Sequence, residues 1–590
     1  TPVELEATQW TQILGRIQVH ESDKSAAREA IDDYVNAVKN VKQDLNNQEV
    51  RKLFCESSKV FKQKLTNYVL RRDKREEPAI KKFQEATGEE YHAYRQEAEI
   101  SIETIDLTTE WKQSVCAAEA LSFVASQSDD CTAKRLRLTL GNGHGIATFL
   151  DQAHQDNKED KEQIKNDSIS ENNTEPDSQK PLDEKRQLRV EWWKNVLIQP
   201  FSQKDGEKND FALFEHPAIL AASKEIEDVC KKGEKVLVFG RFTRPLRALV
   251  QLLNAREMLC RIDKKELWPQ SKFCEKDNWN AVLAAHKQLQ RQGVLDKKSL
   301  NETLAKQYQT FETHRQNIQK TLIVSIEKEF KEKEPDQRVR AIFNEFKNHD
   351  KDVLKPMVKA MQSLMGMNFK NAQSKDLVQI FIDIVMAATD HEEGDTDGNG
   401  SLNKKEASAL WVAFKTKLIE EYSHTEGGFS RLMNGETEAS TRQLLQLSFN
   451  RKEGHPSVLV AQSLVGREGL NLHKACRTVV LLHPEWNPGI VEQQIGRIDR
   501  IGSLWEEKLY QATKAGKPND HIPRIEIRPV IFKGTYDEKN WQILHHRWDD
   551  LRAQLHGIVI PPLIAKDYSK DLINEINNAA PKFSPPKFRP

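Results

Sequence analysis

Apolar positions along this chain follow two rhythms. From residue 1 to about 105, Ala, Glu, Lys, Gln and Leu dominate, and in "SDKSAAREAIDDYVNAVKNVKQDL" the apolar Ala26, Ile31, Tyr34 and Val38 recur at helical steps. The spacing predicts a helical region, extended by "TTEWKQSVCAAEALSFVA" and closed by a glycine-rich turn in "LGNGHGIATFL". A second rhythm begins at "GEKVLVFGRF", a short β-branched run ended by Gly240, which is the pattern of a buried parallel strand. The segment "TRPLRALVQLLNAREM" reads as the helix that follows it. Similar runs return at "PSVLVAQS", "CRTVVLLH" and "IEIRPVIF". Between these strands, residues 261 to 426 are helical again, with "TLIVSIEKEFKE" and "DLVQIFIDIVMAA" supplying apolar faces.

Two stretches keep neither rhythm. The segment from Asp151 to Pro181 carries almost nothing apolar and cannot offset the entropy of ordering, so it reads as a linker or mobile loop. The end, "APKFSPPKFRP", is proline-rich and reads as extended. The predicted class is α/β: a parallel-sheet domain with extensive helical flanks and a helical insertion. Its expected parts are a helical region at 1–150, a polar linker at 151–185, the start of the sheet domain at 186–262, the insertion at 263–426, the rest of the sheet domain at 427–557 and a tail at 558–590.

Composition narrows the function classes. A chain of 590 residues exceeds one hydrophobic core. Lys plus Arg equals Asp plus Glu at 89 each, so nucleic-acid contact must come from local patches. The clusters "KRLRL" at Lys134 and "RRDKR" at Arg71 are such patches, although short charge runs are usually solvated faces. Seven cysteines without a CxxC pair argue against a zinc ribbon and a disulfide framework and fit a reducing cytoplasm. No apolar run reaches the roughly 18 to 20 residues that cross a bilayer, and the start is no signal peptide, so no membrane partner is expected. His545 and His546 read as helix-face residues, not metal ligands.

The chemistry concentrates in "SLVGREGLNLHKACRTVVLLHPEWNPGIVEQQIGRIDRIGS". A strand delivers a glycine-rich polar turn, with Gly466 and Gly469 where backbone approaches a phosphate, a sugar or a strand closely; ordinary turn glycines are the plainer reading. Gln493-x-x-Gly496-Arg497-x-x-Arg500 follows after a second strand. Two arginines on one helical face present fixed cations to one anion, an arrangement that neutralises charge on a transferring γ-phosphoryl group. The plainer reading is a solvated basic face paired with Glu492 and Asp499.

"SLVGREGLNL" resembles motif V and "QQIGRIDR" resembles motif VI of superfamily 2 helicases and translocases of the Swi/Snf type, and "HPEWNP" resembles that group's "DxxWNP". "EQQIGRIDRIGS" is closer to the bacterial RapA branch, and "HPAIL", "GEKVLVFGRF", "YVLRRDKRE" and "FKGTYDEK" are similar to further family segments in the family's order. The likeness implies a RecA-like second lobe in which Arg497 and Arg500 are arginine fingers and Gln493 and Gly496 help hold the nucleotide. Gly469 and Asn471 would line the cleft between lobes. Ser463, Gly466 and Arg431, the last in "RLMNGET", would lie on the nucleic-acid track. No GxxxxGK[ST] occurs, and "TDHEEGD" lacks the strand that a Walker B acid needs. ATP with Mg²⁺ is therefore expected mainly on a first lobe upstream of Thr1 or on a separate subunit, and this chain alone is expected to be inactive.

"DTDGNGSLNKKE" fills an EF-hand loop: Asp395, Asp397, Asn399, Ser401, Asn403 and Glu406 at ligand positions and Gly400 at the sharp turn. Ca²⁺ is one reading and a polar turn capping the next helix is the other. The expected function is the C-terminal half of an ATP-dependent translocase or helicase on double- or single-stranded DNA. Expected partners are the missing lobe and a polymerase or an antiviral-defence system such as Zorya, by analogy. The alternative is a non-catalytic scaffold or regulatory module that binds nucleic acid, with Ca²⁺ tuning the insertion.

Overall fold

The computed structural model describes residues 7–17, 19–69, 74–124, 184–198, 211–271, 273, 276–348, 351–389, 404–424, 428–463, 469–485, 487–555, 557–565 and 567–583. Its centre is a parallel sheet of seven strands: β1 (Arg95–Glu97), β2 (Ile100–Glu103), β3 (Lys235–Gly240), β4 (Ser430–Met433), β5 (Val458–Gln462), β6 (Cys476–Leu481) and β7 (Ile525–Lys533). The order is β1-β7-β6-β3-β5-β4, and β2 continues the β1 edge along β7. This is the α/β architecture of a RecA-like lobe.

Period-two alternation builds both faces of this sheet. Val236, Val238, Val458, Val460, Val480 and Phe532 pack one way, against the helices Pro217–Lys231 and Thr243–Asp263. Leu237, Phe239, Leu459, Val479, Leu481 and Ile527 pack the other way, against Pro78–Thr87, Pro488–Ile495 and Tyr536–Leu555. Because both faces are covered, the strands are apolar for most of their length, with Arg477 of β6 and Glu526 and Arg528 of β7 held in ion pairs, which is why the runs at β3, β5, β6 and β7 are recognisable.

Two features differ from the sequence reading. The N-terminal helical stretch also supplies β1 and β2, which pair with β7 more than 400 residues later. Ser430–Met433 forms edge strand β4, too short and too polar at Ser430 and Arg431 to announce itself. Ahead of the proline-rich end, where the sequence reading assigned no element, the helix Lys570–Ala579 buries Ile573 and Ile576, which join Phe583 against the helices Glu21–Gln43 and Gln48–Leu65. Its i, i+3 apolar pair supplies the face that this packing buries.

The insertion has its own core. Leu322, Ile326, Phe346, Met361, Phe381 and Phe414 are buried together by helices that include Lys297–Glu332, Ser374–Thr389 and Lys404–His424. Of the EF-hand loop, Glu406 sits in the first turn of the last of these helices. Asp395, Asp397, Asn399, Gly400, Ser401 and Asn403 lie outside the described residues, as do Gly466, Lys134, Arg71 and the polar linker up to residue 183, its last two positions beginning the helix Glu184–Ile198. Among the described residues no cluster of metal-ligating side chains occurs, and no helix is long and apolar enough to cross a membrane.

Candidate functional site

The carboxyl ends of β3, β5 and β6 converge, and in parallel sheets ligands bind beyond those ends. Gly240 closes β3 there because a Cβ at this position would lie 2.5 Å from His483 Nδ1 and 2.7 Å from Leu246 Cδ2. The His483 ring accepts the Arg241 N–H at 3.3 Å. Burial, then the charges of His216 and Arg241, hold its pKa well below the usual histidine value.

Ser463 follows β5 and is fully buried. Its hydroxyl donates to the Gly240 carbonyl at 3.2 Å and accepts from Gln494 Nε2 at 3.2 Å, tying β5 to the Pro488–Ile495 helix. In this conformation it is a tie between elements, not an exposed nucleic-acid contact. Arg431, on β4, is paired with the buried carboxylate of Glu421.

Asn487 caps the Pro488–Ile495 helix by accepting the Gly489 N–H at 2.9 Å, with Pro488 in the first turn. The helix stops at Ile495, and turns carry Gly496 to Arg500: Asp499 N donates to the Ile495 carbonyl at 3.0 Å and Arg500 N to that of Ile498 at 3.1 Å. This corrects the expectation of a helical face, since Arg497 and Arg500 stand on turns beyond the helix end. They are nevertheless neighbours. Burial, then the Arg500 charge, pulls the Arg497 guanidinium below its ordinary value, and burial does the same to Arg500.

The segment after Gly469 is bound to these turns. Leu472 N donates to the Arg497 carbonyl at 3.0 Å, Leu504 N to that of His473 at 2.8 Å, and Arg497 Nη1 reaches the Leu470 carbonyl at 3.4 Å. Arg500 Nε donates to the Gly496 carbonyl at 3.0 Å. The Asn471 N–H donates to Gln446 Oε1 at 2.8 Å, whereas its own Oδ1 is buried without a hydrogen-bond partner among the described residues. Gly469 is exposed, and a Cβ there would touch nothing within 4 Å among the described residues. Gln493 is half-buried on the same helix. Gln493, Gly496, Arg497, Arg500, Gly469 and Asn471 thus fall within two hydrogen-bonded segments.

The acids flanking the arginines are used elsewhere. Asp499 accepts from Lys74 Nζ at 2.8 Å, from the Tyr94 hydroxyl at 2.6 Å and from Arg95 Nη2 at 2.5 Å. Glu492 accepts from Arg95 Nη1 at 3.0 Å and from Trp548 Nε1 at 2.7 Å. Burial alone pushes the Asp499 carboxyl up, but Arg95 and Lys74 outweigh it and hold the group well below the ordinary carboxylate range. A solvated basic face paired with Glu492 and Asp499 is therefore not what these residues form. Lys74, Tyr94 and Arg95 were missed as site residues: Lys74 lies in the "RRDKRE" segment, and nothing near Tyr94 or Arg95 marks them.

Residues 400–502 match the model of the helicase conserved C-terminal domain, and residues 251–391 match that of the proteasome activator complex subunit 4-like, HEAT repeat-like family. The SNF2 domain-containing protein CLASSY 4 of Arabidopsis thaliana is 40% identical over 127 residues, 21% of this chain and 11% of that protein. The RNA polymerase-associated protein RapA of Actinobacillus succinogenes is 41% identical over 70 residues, 12% of this chain and 7% of that protein. The chain spans about a tenth of the length of the first curated relatives it matches. A solved structure, the C-terminal part of the Fun30 ATPase domain, aligns over 53% of this chain and 89% of its own at 13% identity, with a TM-score of 0.16. The domain match and the SNF2 relatives support a superfamily 2 C-terminal lobe of the Swi/Snf type.

Proposed function

We propose that this chain supplies the C-terminal lobe of an ATP-dependent DNA translocase of the Swi/Snf type, with Arg497 and Arg500 meeting the phosphates of an ATP–Mg²⁺ complex held by a first lobe outside these 590 residues. The observation that carries this reading is the division of charge across one short segment. The carboxylates of Glu492 and Asp499 are taken by Lys74 and Arg95, while Arg500 makes no ion pair among the described residues and its charge opposes that of Arg497. Two partly buried guanidiniums that repel each other are stabilised by an anion placed between them.

Gln493, Gly496, Gly469 and Asn471 would complete the nucleotide side, with the buried Oδ1 of Asn471 as an acceptor still to be satisfied. In the mechanism, closure on ATP brings the arginines to the γ-phosphoryl group, and hydrolysis releases them, so closure and opening step the lobes along DNA. Phosphate contacts make DNA binding salt-sensitive and largely independent of sequence. Ser463, buried at the end of β5, would reach the track only as β5 shifts during closure, and Gly466 is proposed for the track on its residue pattern. Calcium binding by the loop Asp395–Glu406 is proposed on its residue pattern alone; calorimetry on the wild type and Glu406→Ala tests it, and no heat in either removes it.

The test of the main reading is DNA-stimulated ATP hydrolysis by the protein carrying both lobes. Arg500→Ala is expected to lower it by roughly a thousand-fold while the variant unfolds at the wild-type denaturant concentration. Unchanged hydrolysis ends the reading.

A further inference from the structure

The helical insertion and the turns that carry Arg497 and Arg500 share a joint. The helix Ala439–Phe449 gives Leu444 to the insertion core and Phe449 to the core on one face of the sheet, so it belongs to both bodies. The loop that follows, 450–455, is keyed onto the insertion. His455 N donates to the Ser363 carbonyl at 2.7 Å, the Ser363 hydroxyl donates to the His455 carbonyl at 3.3 Å, and Arg451 pairs with Asp383 on the helix Ser374–Thr389. Two glycines leave this contact no room to slip. Gly366, at a φ of 53°, faces the Glu453 carbonyl so closely that a Cβ would overlap its oxygen. A Cβ on Gly454 would stand 2.6 Å from the Ser448 oxygen and 3.1 Å from that of Leu364.

The same joint reaches the arginine turns on its other side. Lys235 Nζ, buried at the start of β3, donates to the Ser448 and Gly454 carbonyls at 3.1 and 2.6 Å and fastens the loop to the sheet. Asn450 holds the segment after Gly469 at two points: its Nδ2 donates to the Asn471 carbonyl at 2.6 Å and its Oδ1 accepts the Lys474 N–H at 3.0 Å. Gln446, a helical turn earlier, accepts the Asn471 N–H. Residues 471–474 are the ones bonded to the turns, through Leu472 to Arg497 and through His473 to Leu504, and Lys474 Nζ donates to the Gly502 carbonyl at 2.9 Å. A continuous path of contacts therefore joins Asp383 and Gly366 to Arg497.

A path of contacts transmits displacement only when its links do not yield singly. Here the links are backbone groups in steric contact and a side chain that bonds both a carbonyl and an N–H, so the loop 450–455 moves only by breaking both Asn450 bonds or by carrying 471–474 with it. We propose that the helical insertion is a control arm for the turns bearing Arg497 and Arg500, acting through the joint 446–455 with Asn450 as its positioning residue. By reciprocity, whatever fixes the insertion steadies the arginines, and an anion on the arginines steadies the joint. The coupling stands on contacts within this chain; its consequence for catalysis rests on the function proposed above.

Hydrogen exchange at the Leu472 and Leu504 amides of the 590-residue chain reads the coupling, with β7 as the reference. Gly366→Ala pushes on the joint from the insertion side and Asp383→Ala releases it. Each should speed exchange at both amides at least about three-fold while β7 changes less than about two-fold, and Asp383→Ala keeps the test decisive should Gly366→Ala not fold. Glu327→Ala, which breaks the Glu327–Lys347 pair elsewhere on the insertion, should leave both amides unchanged. Asn450→Ala should speed them about ten-fold, and adding Asp383→Ala to it should contribute less than about two-fold more, because the link is already cut. Unchanged exchange in Asp383→Ala, an equal acceleration in β7 or in Glu327→Ala, or effects of Asp383→Ala and Asn450→Ala that multiply in full overturns the proposal. In the two-lobed protein Asp383→Ala should lower DNA-stimulated hydrolysis at least about two-fold; faster exchange with unchanged hydrolysis overturns the catalytic consequence. If Arg500→Ala leaves hydrolysis unchanged, the motor reading falls and the exchange results stand by themselves.

Discussion

Arg95 and Asp499 lie 404 residues apart in the chain and meet at 2.5 Å inside it. Their side chains are 11% and 4% exposed, so the pair is shielded from water and from salt. The same guanidinium holds Glu492, so one residue of β1 orients both acids that flank Arg497. Truncating Arg95 leaves two buried carboxylates short of a partner. Arg95→Ala is expected to cost about 3–5 kcal/mol, read from urea unfolding of the whole chain. Asp499→Asn, which keeps shape and an acceptor, should cost less, and a larger loss for Asp499→Asn than for Arg95→Ala would contradict this account.

Acid should unfold the protein from two directions. His92 and His473 are held to about 4, His92 by burial and then Arg552, and His473 by burial and then Lys474 and Arg500. Unfolded histidine titrates at about 6.5, so between about pH 6.5 and 4 the unfolded state binds more protons and stability falls as pH falls. Asp499 adds to this below the ordinary carboxylate range, because its folded pKa is depressed and the stability of its pairing is lost as that carboxyl is protonated. Denaturant midpoints should decline as pH falls below about 6.5. Arg500→Ala should move the His473 titration upward, a shift visible by NMR; a fixed His473 pKa would place the two groups farther apart than described.

The sheet was legible where local pattern and global burial agree. β3, β5, β6 and the second half of β7 are largely apolar runs, and covering on both sides leaves such runs no other comfortable place. β1, β2 and β4 are three or four residues long and take their strand character from pairing with β7 and β5, which no local window contains. The site divides in the same way. Gln493, Gly496, Arg497 and Arg500 are contiguous and carry a family pattern, so they could be read from the sequence. The clamp of Lys74, Tyr94 and Arg95 is a tertiary relationship among ordinary residue types. The helical-face expectation for the two arginines failed because Gly496 ends the helix, its N–H bonding back to the Glu492 carbonyl at 2.8 Å.

Gly240→Ala tests whether the end of β3 is sterically committed. The added methyl would enter the space of the His483 ring and the Leu246 side chain, at 2.5 and 2.7 Å. Overpacking of this kind costs about 1–3 kcal/mol. A second substitution, His483→Ala, should recover part of that loss, although it also removes the acceptor of the Arg241 N–H. No recovery would mean that Leu246 or the strand backbone sets the limit, and thermal unfolding of the single and double variants separates the cases.

Gly469→Ala makes the opposite prediction and separates a turn glycine from a functional one. Gly469 is exposed, its φ lies outside the left-handed region, and nothing among the described residues stands within 4 Å of where a Cβ would be. Stability should therefore change by less than about 0.5 kcal/mol, as for an ordinary surface position. The segment it opens nevertheless hydrogen-bonds the Arg497 backbone through Leu472 and reaches the Arg497 side chain through Leu470. If a nucleotide or the first lobe approaches the backbone here, the methyl intrudes only in the assembled site, and DNA-stimulated hydrolysis by the two-lobed protein should fall at least about ten-fold, a barrier change of about 1.4 kcal/mol. Gly496→Ala is a poorer test, since a Cβ there already meets the Glu492 carbonyl at 3.0 Å and would mix folding with function. Full activity in Gly469→Ala would return this residue to the role of a solvent-facing turn and move the proposed cleft away from it.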